Sequence, residues 1–166
     1  MITQVFRLRS TSRSTKLFLT AFLLVLTFGY AFGLAFVRHT TEMSPQGILE
    51  QYRGSTANGY PQKELKYEKT LDEMLTFTHN HVLSTTLLFF IVGGILLFSS
   101  TLPGRWKTFL LVEPFAAILT TFGGLWLLRF ASIWFVWLVI LSGDSMAICY
   151  IISVTVILRE LWVVES

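Results

Sequence analysis

Charged residues are scarce in this chain of 166 residues, since Asp, Glu, Lys and Arg together make up only 14% of it. A soluble domain usually carries about 25% charged residues. By contrast, 53% of the residues are hydrophobic and 15% are aromatic. The deficit excludes a disordered chain, a coiled coil and an ordinary water-soluble enzyme. The composition therefore indicates a small integral membrane protein.

Cysteine is nearly absent, because the chain contains only Cys149. One thiol forms no internal disulfide and no cysteine cluster, and Cys149 is expected to pack as a small hydrophobic residue. Phosphate-binding glycine loops, Cys-x-x-Cys, His-Glu-x-x-His and a convergent Ser/His/Asp set are also missing from the sequence. We therefore predict no catalytic residue and no metal site, and we favour a protein without an enzymatic centre of its own.

The basic residues outnumber the acidic ones, giving a net charge of +3 and a pI of about 9.2. Most of them lie just outside apolar runs, where cytoplasm-facing Lys and Arg are expected. They form no patch with interleaved aromatic residues. Orientation in a membrane explains the charge, and no nucleic-acid partner is predicted.

Four apolar runs are long enough to cross a bilayer, which takes roughly 20 helical residues. The break between the last two runs is placed at Arg129–Ser132; the alternative is a break at Ser142–Ser145, with 130–141 lying along the membrane surface. The fold class is therefore all-α, a polytopic membrane protein with an antiparallel bundle of four transmembrane helices. The predicted helices cover residues 17–37, 71–102, 108–128 and 133–158.

The loop over residues 38–70 carries helix signals. Ser44 followed by Pro45 marks a helix start and Gly54 a helix end, which predicts a short helix over 45–53. Thr70 and Glu73 have the spacing of a capping box, so the second transmembrane helix is expected to begin near Leu71 and to project from the lipid before entering it.

Loop charges predict the orientation. The N-terminal tail 1–16, the loop between the second and third helices and the C-terminal tail 159–166 together hold seven of the 13 basic residues. The long loop has no excess of positive charge. Both termini are therefore expected in the cytoplasm of a bacterium, with the long loop in the periplasm. The first apolar run exceeds the 7–15 residues of a signal-peptide core, so a retained anchor is expected.

The topology places all three histidines, His39, His79 and His81, at the periplasmic side. Imidazole is a common metal ligand and an axial ligand of haem b. Residues two apart on a helix point about 200° apart, so a single haem would use His39 with either His79 or His81. The spacing favours His79, together with Leu75, as the residue that faces the bundle. Interfacial histidines without a cofactor are the alternative.

Two acids, Glu113 and Asp144, lie within apolar runs, where each must face the bundle, a partner or water. Asp144 is the stronger candidate for proton or ion contact, because Ser142 and Ser145 are adjacent and Arg129 supplies a counter-charge. Glu113 lies close enough to Lys107 to reach the interface. Structural Asp–Arg or Asp–Ser contacts are the alternative.

Residues from about 44 to 160 resemble small, largely uncharacterised four-helix bacterial inner-membrane proteins. Such proteins are similar to subunits that accompany membrane redox systems, and the resemblance implies no activity for any particular residue. The motifs that carry it are Ser44–Gly47, Thr78–His81, Glu113–Phe115, Phe122–Trp126 and Ser142–Gly143.

From these patterns we expect a non-catalytic subunit of a larger bioenergetic or electron-transfer complex of the inner membrane. Its partners would be the lipid bilayer, other membrane subunits and a soluble or peripheral protein at the periplasmic side. The first alternative is a carrier of electrons through haem b held by His39 and His79 or His81. The second is proton or ion conduction through Asp144 and Glu113, with Arg129 as a further contact.

Overall fold

The computed structural model describes residues 8–55 and 65–162, and over these residues the chain is helical. A 3₁₀ turn over Leu8–Ser10 precedes five α-helices. Four of the helices, α1, α3, α4 and α5, are long and apolar enough to cross a membrane. The predicted all-α class with four candidate spans is thereby confirmed. The helices are α1 (Arg13–Thr41), α2 (Pro45–Arg53), α3 (Leu71–Leu96), α4 (Gly104–Phe130) and α5 (Phe135–Trp162).

Side-chain caps begin three of these helices. Ser12 accepts a hydrogen bond from the Thr15 amide at 3.2 Å, and Ser44 accepts one from the Gly47 amide at 2.9 Å. At α3 the capping box is complete: the Glu73 amide donates to Thr70, and the Glu73 carboxylate accepts from the Thr70 amide. These bonds satisfy amide donors that the first turn of a helix otherwise leaves free.

The core lies between α4 and α5, which pack on each other along much of their length, with α3 against both. α1 packs on α2 and α5, and α2 also reaches α4 and α5. We call the end of the bundle with α2 and the start of α3 the loop end. The opposite end, with the 3₁₀ turn and the α3–α4 connection, is the tail end.

At the loop end, the segment before α3 is bound back to the end of α1 and to α2. The Lys69 amide donates to the Tyr52 carbonyl at 3.0 Å, and the Lys66 ammonium donates to the Thr40 carbonyl. The Tyr52 ring packs edge-on against Phe77, with centroids 6.0 Å apart, and burial raises the pKa of its phenol. The loop is thus fixed to the bundle over its described part.

The predicted and observed helix bounds differ most at the end of α3. α3 ends at Leu96, whereas the apolar run predicts helix to residue 102. α5 runs without interruption through Ser142–Ser145, so the alternative break at that point is wrong. The turn between α4 and α5 lies at 131–134 instead.

Candidate functional site

Two pairs of polar side chains join α4 and α5 within the membrane-spanning region. Thr121 and Ser142, both buried, are joined by a hydrogen bond of 2.7 Å. One turn further along, Gly124 lets α5 approach so closely that a Cβ there would lie 3.0 Å from Val139 Cγ2. Small residues and paired hydroxyls are the means by which helices associate in lipid, where burial of apolar surface provides no driving force.

Glu113 lies on the same interface, half-buried beside Pro114 of α4. Its Oε1 accepts a hydrogen bond from the Ser145 hydroxyl of α5. The Cys149 thiol, one helical turn further on, also lies beside this carboxyl group. The second oxygen, Oε2, is buried and has no hydrogen-bond partner in the described residues. The Lys107 ammonium, two turns away on α4, donates to the Leu97 carbonyl at 3.1 Å.

Asp144 lies on the opposite side of α5 from this interface, with an exposed side chain. None of its predicted contacts forms. Ser142 bonds Thr121, Ser145 bonds Glu113, and Asp144 has no hydrogen bond or ion pair within residues 8–55 and 65–162. Of the two acids, Glu113 is therefore the one that faces the inside of the bundle.

Arg129, at the end of α4, contacts the segment before α3 instead of Asp144. Its Nε donates to the Lys69 carbonyl at 2.8 Å, and its Nη2 lies 3.2 Å from a Glu68 carboxylate oxygen. The guanidinium also lies 4.9 Å from the centre of the Phe130 ring. Arg129 thus holds the loop end together.

The three histidines occupy different surfaces. His39 is exposed on α1, and His79 is exposed on α3. His81 is exposed too, but its ring lies against two others, with its centroid 4.3 Å from Phe77 and 6.1 Å from Phe122. The prediction that His79 faces the bundle is therefore wrong.

The companion prediction that Leu75 faces the bundle is wrong as well. Leu75 is 51% exposed, whereas its neighbour Met74 is 1% exposed and packs in the core. Over the described residues no group of three or more His, Cys, Asp or Glu side chains is placed to hold a metal ion.

Glu160 is a buried acid that the sequence patterns do not predict. It lies in the last turn of α5, only 3% exposed, and accepts four hydrogen bonds from the α3–α4 connection. The donors are the Ser99 hydroxyl, the Ser100 amide at 2.8 Å, the Ser100 hydroxyl at 2.7 Å and the Thr101 hydroxyl at 2.8 Å. The signal in the sequence is the run Ser99-Ser100-Thr101 before Pro103, which supplies hydroxyl donors where an apolar helix is predicted to continue.

A family model for a transmembrane helical domain matches residues 42–166. The matched segment begins directly after α1, which ends at Thr41, and contains α2 to α5. No curated protein and no solved structure matches the chain. The four apolar helices and the family model agree that this is a membrane protein. Because the match covers most of its length, the chain belongs to the Aq_1264_TM family of transmembrane helical domains.

Proposed function

We propose that this protein is a non-catalytic subunit of a larger membrane assembly, and that the α5 surface around Asp144 is where it meets a partner. The observation that carries the proposal is an exposed carboxylate, without a partner in the described chain, on a membrane-spanning helix. Asp144 is nine residues from the start of α5, or about 13 Å along its axis. For a hydrocarbon layer of about 30 Å centred on a helix of about 40 Å, this depth lies inside the layer.

A carboxylate at that depth is costly in lipid, by about 2.5–3.5 kcal/mol on insertion scales, and such residues face protein or water. The surroundings of Asp144 suit a helix. A Cβ added at Gly143 would have no neighbouring atom within 4 Å, and Ala147 is also small. Leu141 and Ile148 are exposed beside them. A partner helix with a basic or hydrogen-bonding residue at this depth would lie against the two small residues and neutralise the acid.

The orientation and the location expected from the loop charges belong to the same proposal. The tail end would face the cytoplasm of a bacterium, and the loop end would face the periplasm. Depth is therefore measured from the periplasmic side, and the partner's polar residue would lie in the periplasmic half of the bilayer.

The proposal is tested by purifying the tagged protein at native expression in a mild detergent and measuring the mass and composition of the particle. We expect other membrane chains in fixed proportion with wild type, fewer with Asp144→Asn and almost none with Asp144→Leu. Thr155→Leu, which removes another exposed polar residue of α5, is the control and should leave the particle intact. A monomer, or a particle made only of this chain, would overturn the proposal.

The two alternatives from the sequence stay predictions. For haem, His39 would act with either His79 or His81, and all three side chains are exposed; a Soret band in the purified protein, lost in His39→Ala and in either His79→Ala or His81→Ala, would support it. For conduction, the free Oε2 of Glu113 favours a role with protons, whereas Asp144 faces the opposite way. Proton flux into liposomes that is equal for Glu113→Gln and wild type would exclude it.

A further inference from the structure

The Glu113 carboxyl group presents two unlike oxygens. Oε1 accepts the Ser145 hydroxyl, and Oε2 is buried with no partner among the described residues. Buried polar atoms are almost always hydrogen-bonded, and an exception in a native structure calls for an explanation. The question is therefore which ligand Oε2 holds.

An uncompensated negative charge does not fit this position. Glu113 is nine residues into α4, about 13 Å along the helix axis, which places it inside the hydrocarbon layer. A lone charge buried in an apolar environment costs more than its neutralisation. None of the three basic residues of α4 is shown paired with Glu113: Lys107 bonds the Leu97 carbonyl, Arg129 pairs with Glu68, and Arg105 is exposed at the start of the helix.

The neighbouring helices do not supply a counter-charge either. α3, which packs on α4, carries no charged residue from Val82 to Leu96. On α5 the side chains beside the carboxyl group are the Ser145 hydroxyl and the Cys149 thiol. Both are neutral groups; the Ser145 proton is used in the bond to Oε1, and the Cys149 thiol makes no hydrogen bond to Oε2.

A metal cation is a poorer ligand for this site than a proton. Hard cations take six or more oxygen ligands, and this site offers one carboxyl group, one hydroxyl and one thiol. A single proton needs only Oε2. It also leaves Oε1 as the carbonyl oxygen, which matches its role as acceptor from Ser145.

We propose that Glu113 is an internal proton-binding site, with the proton on Oε2 and the Ser145 hydroxyl fixing which oxygen carries it. The resting protein then holds a neutral carboxylic acid between α4 and α5. Ser145 is a positioning residue, since it orients the carboxyl group and binds no proton from it. This inference concerns the inner side of α5 and does not depend on the partner surface around Asp144.

Infrared spectroscopy of the purified protein in lipid tests the proposal. A protonated carboxyl group has a C=O stretching band that is separate from carboxylate and amide bands and shifts in D₂O. We expect this band in wild type, its loss in Glu113→Gln, and its retention in Asp144→Asn, the matched control. Ser145→Ala should move the band to higher frequency, because the carbonyl oxygen loses its donor, and a merely structural serine would not move it.

A second measurement applies to the wild-type chain and needs no variant to fold. Dicyclohexylcarbodiimide enters membranes and adds to a carboxylic acid: the carboxyl oxygen bonds the carbodiimide carbon, and the acid proton moves to a nitrogen. Peptide mapping should locate the adduct at Glu113. A wild-type spectrum without the protonated-carboxyl band, or a band that persists in folded Glu113→Gln, would overturn the proposal whatever the outcome at Asp144.

Discussion

α1 and α4 are both long enough and apolar enough to span a membrane. The helix with the more apolar stretch, α1, is nevertheless the less buried of the two. The most apolar 18-residue stretch of α1 has a mean hydropathy of 2.1, against 1.6 for that of α4. Only two of its 29 residues are buried, Leu23 and Thr41, whereas nine of the 27 residues of α4 are buried. In lipid an apolar side chain gains little from contact with protein. High hydropathy therefore predicts crossing of the membrane and does not predict packing in the bundle.

What distinguishes the two helices is the chemistry of their contacts. α4 meets α5 through a close backbone approach at Gly124 and a buried hydroxyl pair. α1 meets α5 mainly through ring stacking of Tyr30 on Tyr150, with centroids 4.1 Å apart, and exposes phenylalanines to the surroundings. The family match, which begins after α1, divides the chain at the same place. We infer that α3 to α5 with α2 form the structural unit and that α1 is attached to its side.

The largest change in the free energy of unfolding is expected at the tail end. There the hydrogen bonds of the buried Glu160 of α5 can be compared with a hydrogen bond between α1 and α5. Glu160→Ala removes the acceptor of four hydrogen bonds. Ser99 is buried, whereas Ser100 and Thr101 are exposed. A buried donor left unpaired costs about 1–3 kcal/mol, so with the loss of the outer bonds we expect the free energy of unfolding to fall by about 3 kcal/mol. The measurement is titration with SDS in detergent micelles.

The matched variant at the same end is Thr20→Val, which removes the acceptor of the Trp162 indole bond of 2.9 Å between α1 and α5. That bond is exposed, and we expect its loss to change the free energy of unfolding by less than 0.5 kcal/mol, as at most surface positions (about ±0.5). If the two variants were equally destabilising, α1 would belong to the cooperative unit and the distinction would be lost.

A smaller effect is expected from glycine substitutions on the two helices. Gly124→Leu forces a side chain into a space where a Cβ already lies 3.0 Å from Val139, whereas Gly29 has nothing within 4 Å. Overpacking typically costs about 1–3 kcal/mol, so Gly124→Leu should lower the free energy of unfolding by about 2 kcal/mol. Gly29→Leu should leave it unchanged. A destabilised Gly29→Leu protein with an intact helix content would show that another molecule packs on α1.

The fold class follows from the sequence because hydrocarbon imposes the length and composition of each span. The end of α3 does not follow in this way. Residues 97–102 continue the apolar run, but the hydroxyls and amide of the α3–α4 connection bind Glu160, which is about 60 residues distant in sequence. Tertiary hydrogen bonds with one buried carboxylate replace the helical pattern, and hydropathy carries no information about them.

The candidate site is harder to predict for a related reason. Both acids stand out in the sequence because charge is rare in an apolar run, but their direction depends on helix rotation. Adjacent residues on a helix differ by about 100°, so Asp144 and Ser145 face different surroundings. Sequence proximity assigns the neighbouring serines to Asp144, whereas the rotation of α5 gives them to Glu113 and Thr121.

The smallest change in the free energy of unfolding is expected for hydrogen bonds between hydroxyl groups, one pair joining α5 to α4 and another joining α5 to α1. Ser142 Oγ also lies 2.7 Å from the Leu138 carbonyl and donates to it, so Thr121 is the donor in the bond between α4 and α5. Thr121→Val removes this donor and leaves Ser142 satisfied. We expect a coupling of about 0.6 kcal/mol in a double-mutant cycle with Ser142→Ala, the average for hydrogen bonds between membrane helices.

The corresponding cycle for α1 uses Thr27→Val and Tyr150→Phe, which remove a hydroxyl pair 3.1 Å apart. Thr27 is exposed, and a threonine in a helix can bond a carbonyl of its own preceding turn when its partner is lost. We therefore expect a coupling below that of Thr121 and Ser142, measured by the same SDS titration. A larger coupling on the α1 side would mean that hydroxyl pairing fixes α1 as firmly as it fixes α4, so that the low burial of α1 would reflect its lipid-facing side alone.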